Sequence, residues 1–93
     1  MNQKPIIHIG TLYAKPEYTE DLIKSFEGLK QASGYISHEC YRDTEDENKL
    51  TLVEKWENKK DHENFVNSFP EEVMEQWLNM LSKEGEDSYY QAI

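Results

Sequence analysis

Hydrophobic and polar residues follow the short period of β-strands in some stretches of the chain and helical spacing in others. Residues from Pro5 to Ala14 and from Tyr35 to Arg42 are rich in β-branched and aromatic types, which predicts two strands. Lys49 to Glu57 is predicted to be a third strand. The polar residues 43–48 before it are predicted to form the turn of a hairpin.

Helical spacing begins after Lys15-Pro16, since proline cannot continue a strand ladder but suits the first turn of a helix. Between Glu17 and about Ala32 the apolar residues recur three and four positions apart, which predicts one helix. These residues are Tyr18, Leu22, Ile23, Phe26 and Leu29. Gly34 is predicted to end this helical region in a left-handed conformation.

A second helical region is predicted in two pieces. Asn58 with Asp61 resembles a capping box for a helix to about Asn67, and Ser68 is predicted to cap the next helix, with a proline in its first turn. The second piece is expected to run to about Lys83, with one side lined by Val73, Met74, Trp77 and Leu81. Gly85 is predicted to end it, and residues 88–93 to form a fourth strand.

This order of elements predicts an α+β fold with the ferredoxin-like βαββαβ topology, as one domain over residues 1–93. Its four-stranded antiparallel sheet carries helices on one face only. The strands are nevertheless apolar on both faces, as Ile6 and Ile7 in the first strand illustrate. We therefore expect a second copy of the chain to pack on the open face, giving a homodimer.

Composition excludes several classes of partner. The net charge is −9, from 19 acidic and 10 basic residues, which argues against nucleic acid or an anionic membrane surface as a partner. A single cysteine, Cys40, has no internal disulfide partner. No signal segment and no apolar run of about 20 residues is visible, so we expect a cytoplasmic protein.

Glu54 is the most informative position in the third strand. It alternates with Leu52 and Trp56 and therefore shares a face with them. A carboxylate in apolar surroundings needs a partner, which indicates either a functional site or a structural hydrogen-bond acceptor. The pattern leaves both interpretations open.

The chain resembles the antibiotic biosynthesis monooxygenase family over nearly its whole length. The resemblance is carried by Lys15-Pro16, Ser33–Ile36, Glu54–Glu57 and the joint at Ser68, in that order and spacing. It implies a dimeric α+β barrel in which two facing sheets enclose a mostly apolar cavity in each subunit. For some members it implies oxidation of phenols or quinols by O2 without metal, flavin or heme.

Three departures from the family bear on how far the resemblance extends. Phe65 stands where many family members have a histidine, and His38 stands where the family usually has an aromatic ring. Heme-degrading relatives need an axial histidine late in the second helical region, where this chain has Glu75 and Gln76. Heme is therefore disfavoured, and no cofactor is expected.

Candidate catalytic residues are His38, as a base that titrates near neutral pH, and Glu54, which could orient a histidine or accept a substrate proton. A structural role is open for each. The residues expected to contact substrate are Trp56, Phe65, His8, Tyr13 and Tyr41. Tyr89 and Tyr90 are candidates for either the cavity or an interface. His62 lies early on a polar helix surface and is expected to be exposed to solvent.

A metal site is not expected, because the histidines and Cys40 do not stand at helical ligand-pair spacing. Two functional hypotheses remain. The first is a cofactor-independent monooxygenase that oxidises a small aromatic or quinol-type substrate. The second is a non-catalytic homodimer that binds a small hydrophobic molecule or serves in a stress response.

Overall fold

The computed structural model describes residues 4–93. The strands are β1 Ile6–Ala14, β2 Tyr35–Arg42, β3 Lys49–Trp56 and β4 Leu81–Gln91. The helices are α1 Thr19–Ser25, α2 Lys59–Asn67 and α3 Glu71–Asn79. Two 3-10 segments, Pro16–Tyr18 and Phe26–Gln31, flank α1, so the single helix predicted over 17–32 is α-helical only in its middle.

The four strands form one antiparallel sheet in the order β2-β3-β1-β4, which confirms the predicted ferredoxin-like α+β fold. The central pair, β1 and β3, is in register so that His8 lies opposite Glu54 and Gly10 lies opposite Leu52. Because side chains alternate across a strand, these four residues point to the same face. That face is the one covered by the helices.

The hydrophobic core lies between this face and the first helical region. It consists of Ala14, Leu22, Phe26, Leu29, Leu50, Leu52 and Trp56. Trp56 is completely buried, and Trp77 from α3 is partly buried against the same cluster.

The two predicted caps of the second helical region have different outcomes. Asn58 Oδ1 accepts a hydrogen bond from the Asp61 backbone N–H at 2.9 Å, which confirms the cap of α2. The prediction for Ser68 is wrong, because its hydroxyl donates to the Phe65 carbonyl at the C-terminal end of α2 and Pro70 occupies the N-cap position of α3.

Strand β4 begins earlier than the sequence predicts. Residue Leu81 already pairs with Ala14, so α3 ends at Asn79 and Gly85 lies inside a strand. A Cβ atom at Gly85 would lie 2.2 Å from the Thr11 carbonyl oxygen. Only glycine leaves room for β1, which approaches closely at an irregular point of the ladder. In the sequence alone, this glycine looks like the end of a helix.

The face of the sheet opposite the helices is only partly covered within one chain. Ile7, Ile9 and Val53 are half-buried there, while Tyr41 and Tyr90 are each 52% exposed. This pattern is compatible with a second copy on the open face, and that arrangement stays a prediction. No helix in residues 4–93 is long and apolar enough to cross a membrane.

Candidate functional site

A buried ion pair lies at the centre of the helix-covered face. Glu54 is 4% exposed and His8 is 9% exposed, and His8 Nδ1 donates to Glu54 Oε1 at 2.9 Å. Trp56 Nε1–H donates to the same oxygen at 3.1 Å. The requirement for a partner, inferred for Glu54 from the alternation in β3, is met by these two donors.

Strand β4 supplies a second carboxylate. Asp87, opposite Gly10 in the register, accepts a hydrogen bond from His8 Nε2 at 2.7 Å. Since ionised carboxylates only accept hydrogen bonds, both nitrogens of His8 must carry protons in this arrangement. The geometry therefore describes an imidazolium held between two carboxylates.

Helix α2 brings His62 to the same place, where it is only 7% exposed, so the expectation of a solvent-exposed His62 is wrong. Its Nε2 lies 3.4 Å from Glu54 Oε1, and its ring lies 4.1 Å, centroid to centroid, from that of His8. A signal in the sequence was available: Phe65 and Val66 follow at i+3 and i+4, so His62 begins the apolar stripe of α2.

Tyr89 from β4 completes the group, with its hydroxyl 2.6 Å from His62 Nδ1. In the neutral tautomer that carries its proton on Nε2, 3.4 Å from Glu54 Oε1, His62 Nδ1 accepts the hydrogen bond that the Tyr89 O–H donates. We call His8, Glu54, His62, Asp87 and Tyr89 the Glu54 cluster. Among residues 4–93, no fully buried side-chain nitrogen or oxygen lacks a hydrogen-bond partner.

The two histidines have opposite pKa shifts. Burial lowers the pKa of His8, but hydrogen bonds and charge from Glu54 and Asp87 together outweigh it and leave the pKa raised. Burial and the nearby charge of His8 lower the pKa of His62. Burial also raises the pKa of the Tyr89 phenol, with help from Glu63 and other acidic neighbours. His8 is therefore the more readily protonated of the two imidazoles, and His62 the one that stays neutral to lower pH.

The cluster opens onto a cavity of about 700 Å³ between the sheet and the helices. All five members of the Glu54 cluster line this cavity. Its other walls are mostly apolar and include Leu12, Leu29, Phe65, Val73, Trp77 and Leu81. A cavity of this size and lining suits a small, largely apolar molecule. It lies within one chain, whereas the sequence led us to expect a hollow between two sheets.

The structure separates the residues that the sequence proposed as a site. Glu54, His8 and Phe65 line the cavity, and Trp56 lies behind Glu54 as its hydrogen-bond donor. His38 is outside the cavity lining, with its Nδ1 2.7 Å from the Tyr35 hydroxyl.

Tyr13 and Tyr41 lie on the open face of the sheet and do not line this cavity. The Tyr13 ring is covered by Lys83, whose Nζ lies 4.2 Å from the ring centroid, and the Tyr41 hydroxyl donates to Glu39. Asp87 was not singled out from the sequence, because the predicted fourth strand began after it.

The cluster can perform two kinds of chemistry. A neutral His62 that contacts both a phenol and a carboxylate is arranged as a general base. In addition, His8, Glu54 and His62 each offer one potential metal-ligand atom, and these atoms lie within 4.8 Å of one another. Three separate elements contribute the three residues, so no spacing in the sequence could reveal the group.

Solved structures of several other proteins are similar to this fold. A conserved protein from Methanosarcina mazei has a TM-score of 0.78 at 19% identity, with 99% of this chain and 96% of that chain covered. A Pseudomonas aeruginosa protein gives 0.77 at 17% identity, with 100% and 98% covered. SnoaB from Streptomyces nogalater, a cofactor-independent oxygenase, gives 0.76 at 14% identity, with 97% and 94% covered.

These identities are low enough that the structural likeness supports the fold alone. No curated protein matches the sequence. The family model for antibiotic biosynthesis monooxygenases matches residues 5–80, which is most of the chain and includes His8, Glu54 and His62. The chain therefore belongs to the antibiotic biosynthesis monooxygenase family.

Proposed function

We propose that this protein is a cofactor-independent monooxygenase that oxidises a small phenol or quinol-type substrate with O2 in the cavity beside the Glu54 cluster. The observation that carries the proposal is the 2.6 Å contact between the Tyr89 hydroxyl and His62 Nδ1. A phenol is already held against a buried imidazole at the cavity wall. The hydroxyl of a phenolic substrate in the cavity would likewise lie close to a proton acceptor.

The substrate hydroxyl would be deprotonated through Tyr89. As the substrate transfers its proton to Tyr89 Oη, Tyr89 transfers its own proton to His62 Nδ1. The new charge on His62 is stabilised by Glu54, whose Oε1 lies 3.4 Å from His62 Nε2. Trp56 and His8 hold that carboxylate in place by hydrogen bonds at 3.1 and 2.9 Å.

The phenolate is the electron donor for O2. One electron passes to O2, and the resulting radical pair combines at a ring carbon that bears hydrogen to give a peroxide. Loss of water from this peroxide leaves a carbonyl at that carbon. One oxygen atom enters the product and the other leaves as water, so all four electrons come from the substrate and no external reductant is needed. The apolar cavity wall limits access of water to the radical pair.

Assembly as a homodimer is part of the proposal. The apolar, half-buried side chains on the open face, Ile7, Ile9 and Val53, would be covered if two sheets packed face to face. A dimer of this kind would leave each cavity on the helix side of its own sheet.

A second candidate function is binding of a small hydrophobic ligand without turnover. It is favoured by Phe65, which takes the place of a histidine found in many relatives and packs against Trp56 with ring centroids 5.7 Å apart. An apolar ring at this position cannot exchange a proton with a substrate, so it suits ligand binding without turnover.

Oxygen consumption distinguishes the two functions. We would measure O2 uptake with a panel of mono- and dihydroxynaphthalenes and reduced quinols, in buffer that contains a chelator. We expect uptake above the uncatalysed rate, lowered at least tenfold by His62→Gln and by Tyr89→Phe. Tyr90→Phe is the matched control, because Tyr90 neighbours Tyr89 in sequence but lies on the other face of β4.

The candidate base predicted from the sequence is tested in the same assay. A loss with His38→Ala but not with His62→Gln would move the base to His38 and contradict the relay through Tyr89. No uptake above background for any substrate, together with saturable binding of the same compounds, would favour the ligand-binding function.

A further inference from the structure

We propose that His8, Glu54 and His62 form a binding site for one divalent transition-metal ion of the zinc class, reached from the cavity. This goes beyond the proposed function, which uses the same side chains without a metal. Two imidazoles and one carboxylate are a ligand set that Zn²⁺, Co²⁺ and their neighbours favour. The three residues are buried and come from β1, β3 and α2.

The distances within the cluster suit coordination. Ligand atoms about 2.1 Å from a common ion are separated from one another by about 3.0–3.5 Å. Glu54 Oε1 lies 2.9 Å from His8 Nδ1 and 3.4 Å from His62 Nε2, so two of the three separations already fall in or next to this range. The group as a whole lies within 4.8 Å, which rotation of the imidazole rings can reduce.

Each proposed ligand also has a partner that fixes its orientation. Metal-bound histidines usually direct their second nitrogen at a carboxylate or another oxygen. His8 Nε2 is 2.7 Å from Asp87 Oδ2, and His62 Nδ1 is 2.6 Å from Tyr89 Oη. Trp56 Nε1–H donates to Glu54 at 3.1 Å. Positioning residues of this kind are what separates a prearranged site from a chance group of polar side chains.

Charge favours a cation at this position. Glu54 and Asp87 are two carboxylates beside two imidazoles, and Glu63, Glu84 and Glu86 also line the cavity. Lys59 is the nearby opposing charge, with Nζ 4.9 Å from the centre of the Tyr89 ring. The ion would take the place of the proton on His8 Nδ1, and His62 would then carry its proton on Nδ1 and donate to Tyr89.

The proposal has a consequence for catalysis. An ion bound to His62 Nε2 leaves the ring proton on Nδ1. Nδ1 can then no longer accept the substrate proton through Tyr89. Metal occupancy and the relay are therefore mutually exclusive, and Zn²⁺ would inhibit O2 uptake by competition for the cluster.

Metal binding is tested without reference to activity. The untagged chain is stripped with a chelator, dialysed, and titrated with Co²⁺ followed by visible absorption, and with Zn²⁺ followed by calorimetry. We expect one ion per chain, d–d absorption bands of Co²⁺ bound by nitrogen and oxygen, and a thermal midpoint that rises with ion concentration. We expect His62→Gln and Glu54→Gln to weaken binding at least tenfold, and Asp87→Asn to weaken it about 10–100-fold.

His38→Gln is the matched control, because it removes a histidine that lies outside the cluster. Retention of full affinity in His62→Gln, or loss of affinity in His38→Gln, would place the ion elsewhere and overturn the proposal. Binding of much less than one ion per chain would also overturn it. If Glu54→Gln does not fold, the affinity of Asp87→Asn and the number of ions bound per wild-type chain still test the proposal. O2 uptake measured in the presence of a chelator tests the monooxygenase function without a metal. The proposed function and the proposed metal site can therefore be contradicted independently of each other.

Discussion

His8 and Glu54 lie opposite each other on the two central strands, and His8 Nδ1 is 2.9 Å from Glu54 Oε1. Both side chains are buried, and the second nitrogen of His8 is bound to Asp87. The two residues are 46 positions apart in the chain. This contact fixes the His8 imidazole at the cavity wall formed by the sheet. The other members of the Glu54 cluster surround the pair.

Glu54→Gln is expected to destabilise the protein by about 3–5 kcal/mol, because it leaves the buried His8 cation without one of its two anionic partners. Chemical denaturation monitored by tryptophan fluorescence measures the change in the free energy of unfolding. Glu57→Gln, on an exposed residue three positions later, is the control and should alter it by less than about 0.5 kcal/mol. Equal effects of the two substitutions would contradict a buried ion pair.

Trp56→Ala is expected to cost about 3–5 kcal/mol, since the completely buried ring would leave a large cavity in the core. Trp56→Phe keeps most of the volume but removes the N–H that binds Glu54, so it should cost less while still affecting O2 uptake through Glu54. Denaturation and activity measured on both variants separate packing from hydrogen bonding. A change in stability below about 1 kcal/mol for Trp56→Ala would contradict the observed burial.

Gly34→Ala is expected to destabilise the fold by more than about 1 kcal/mol, because Gly34 has φ of 82° and its added Cβ would lie 2.1 Å from Asp61 Oδ2. Gly28→Ala is the matched substitution, as a Cβ there meets no atom within 4 Å. The midpoint temperature of thermal unfolding should therefore be lowered by Gly34→Ala and unchanged or raised by Gly28→Ala. The reverse order would show that the backbone at Gly34 is not constrained.

Val53→Asp is expected to dissociate the proposed homodimer, because it places a charge among half-buried apolar side chains on the open face. Sedimentation velocity at micromolar concentration should give a dimer for the wild type and an 11.0 kDa monomer for the variant. Lys60→Asp, on the exposed surface of α2, is the control and should remain dimeric. A wild-type protein that sediments as a monomer would remove the expected role of this face.

The Cys40 thiol is expected to react slowly with iodoacetamide near neutral pH, because burial raises its pKa above the ordinary value. The alkylation rate should rise with pH and reach its midpoint at a higher pH than for a free cysteine. Arg42 partly offsets the shift by its charge, so Arg42→Gln should move the midpoint further upward. A midpoint at or below that of free cysteine would contradict the raised pKa of Cys40.

The order and type of most elements could be predicted from the sequence, because they depend on local patterns. The turn before Lys49, the cap at Asn58 and the buried alternation that includes Trp56 are set by neighbouring residues. The start of β4 could not be predicted. It depends on pairing with β1, and the close approach at Gly85 has the same local appearance as a helix end.

The ferredoxin-like topology, the need of Glu54 for a partner and the family could all be inferred from the order of amino acids. The residues that surround Glu54 became known from the fold, which brings in His8, His62, Asp87 and Tyr89 and leaves His38 outside the cavity. Strand and helix patterns specify only the face on which a side chain lies. Contact across strands and between helix and sheet is set by register and packing, which a linear pattern does not encode.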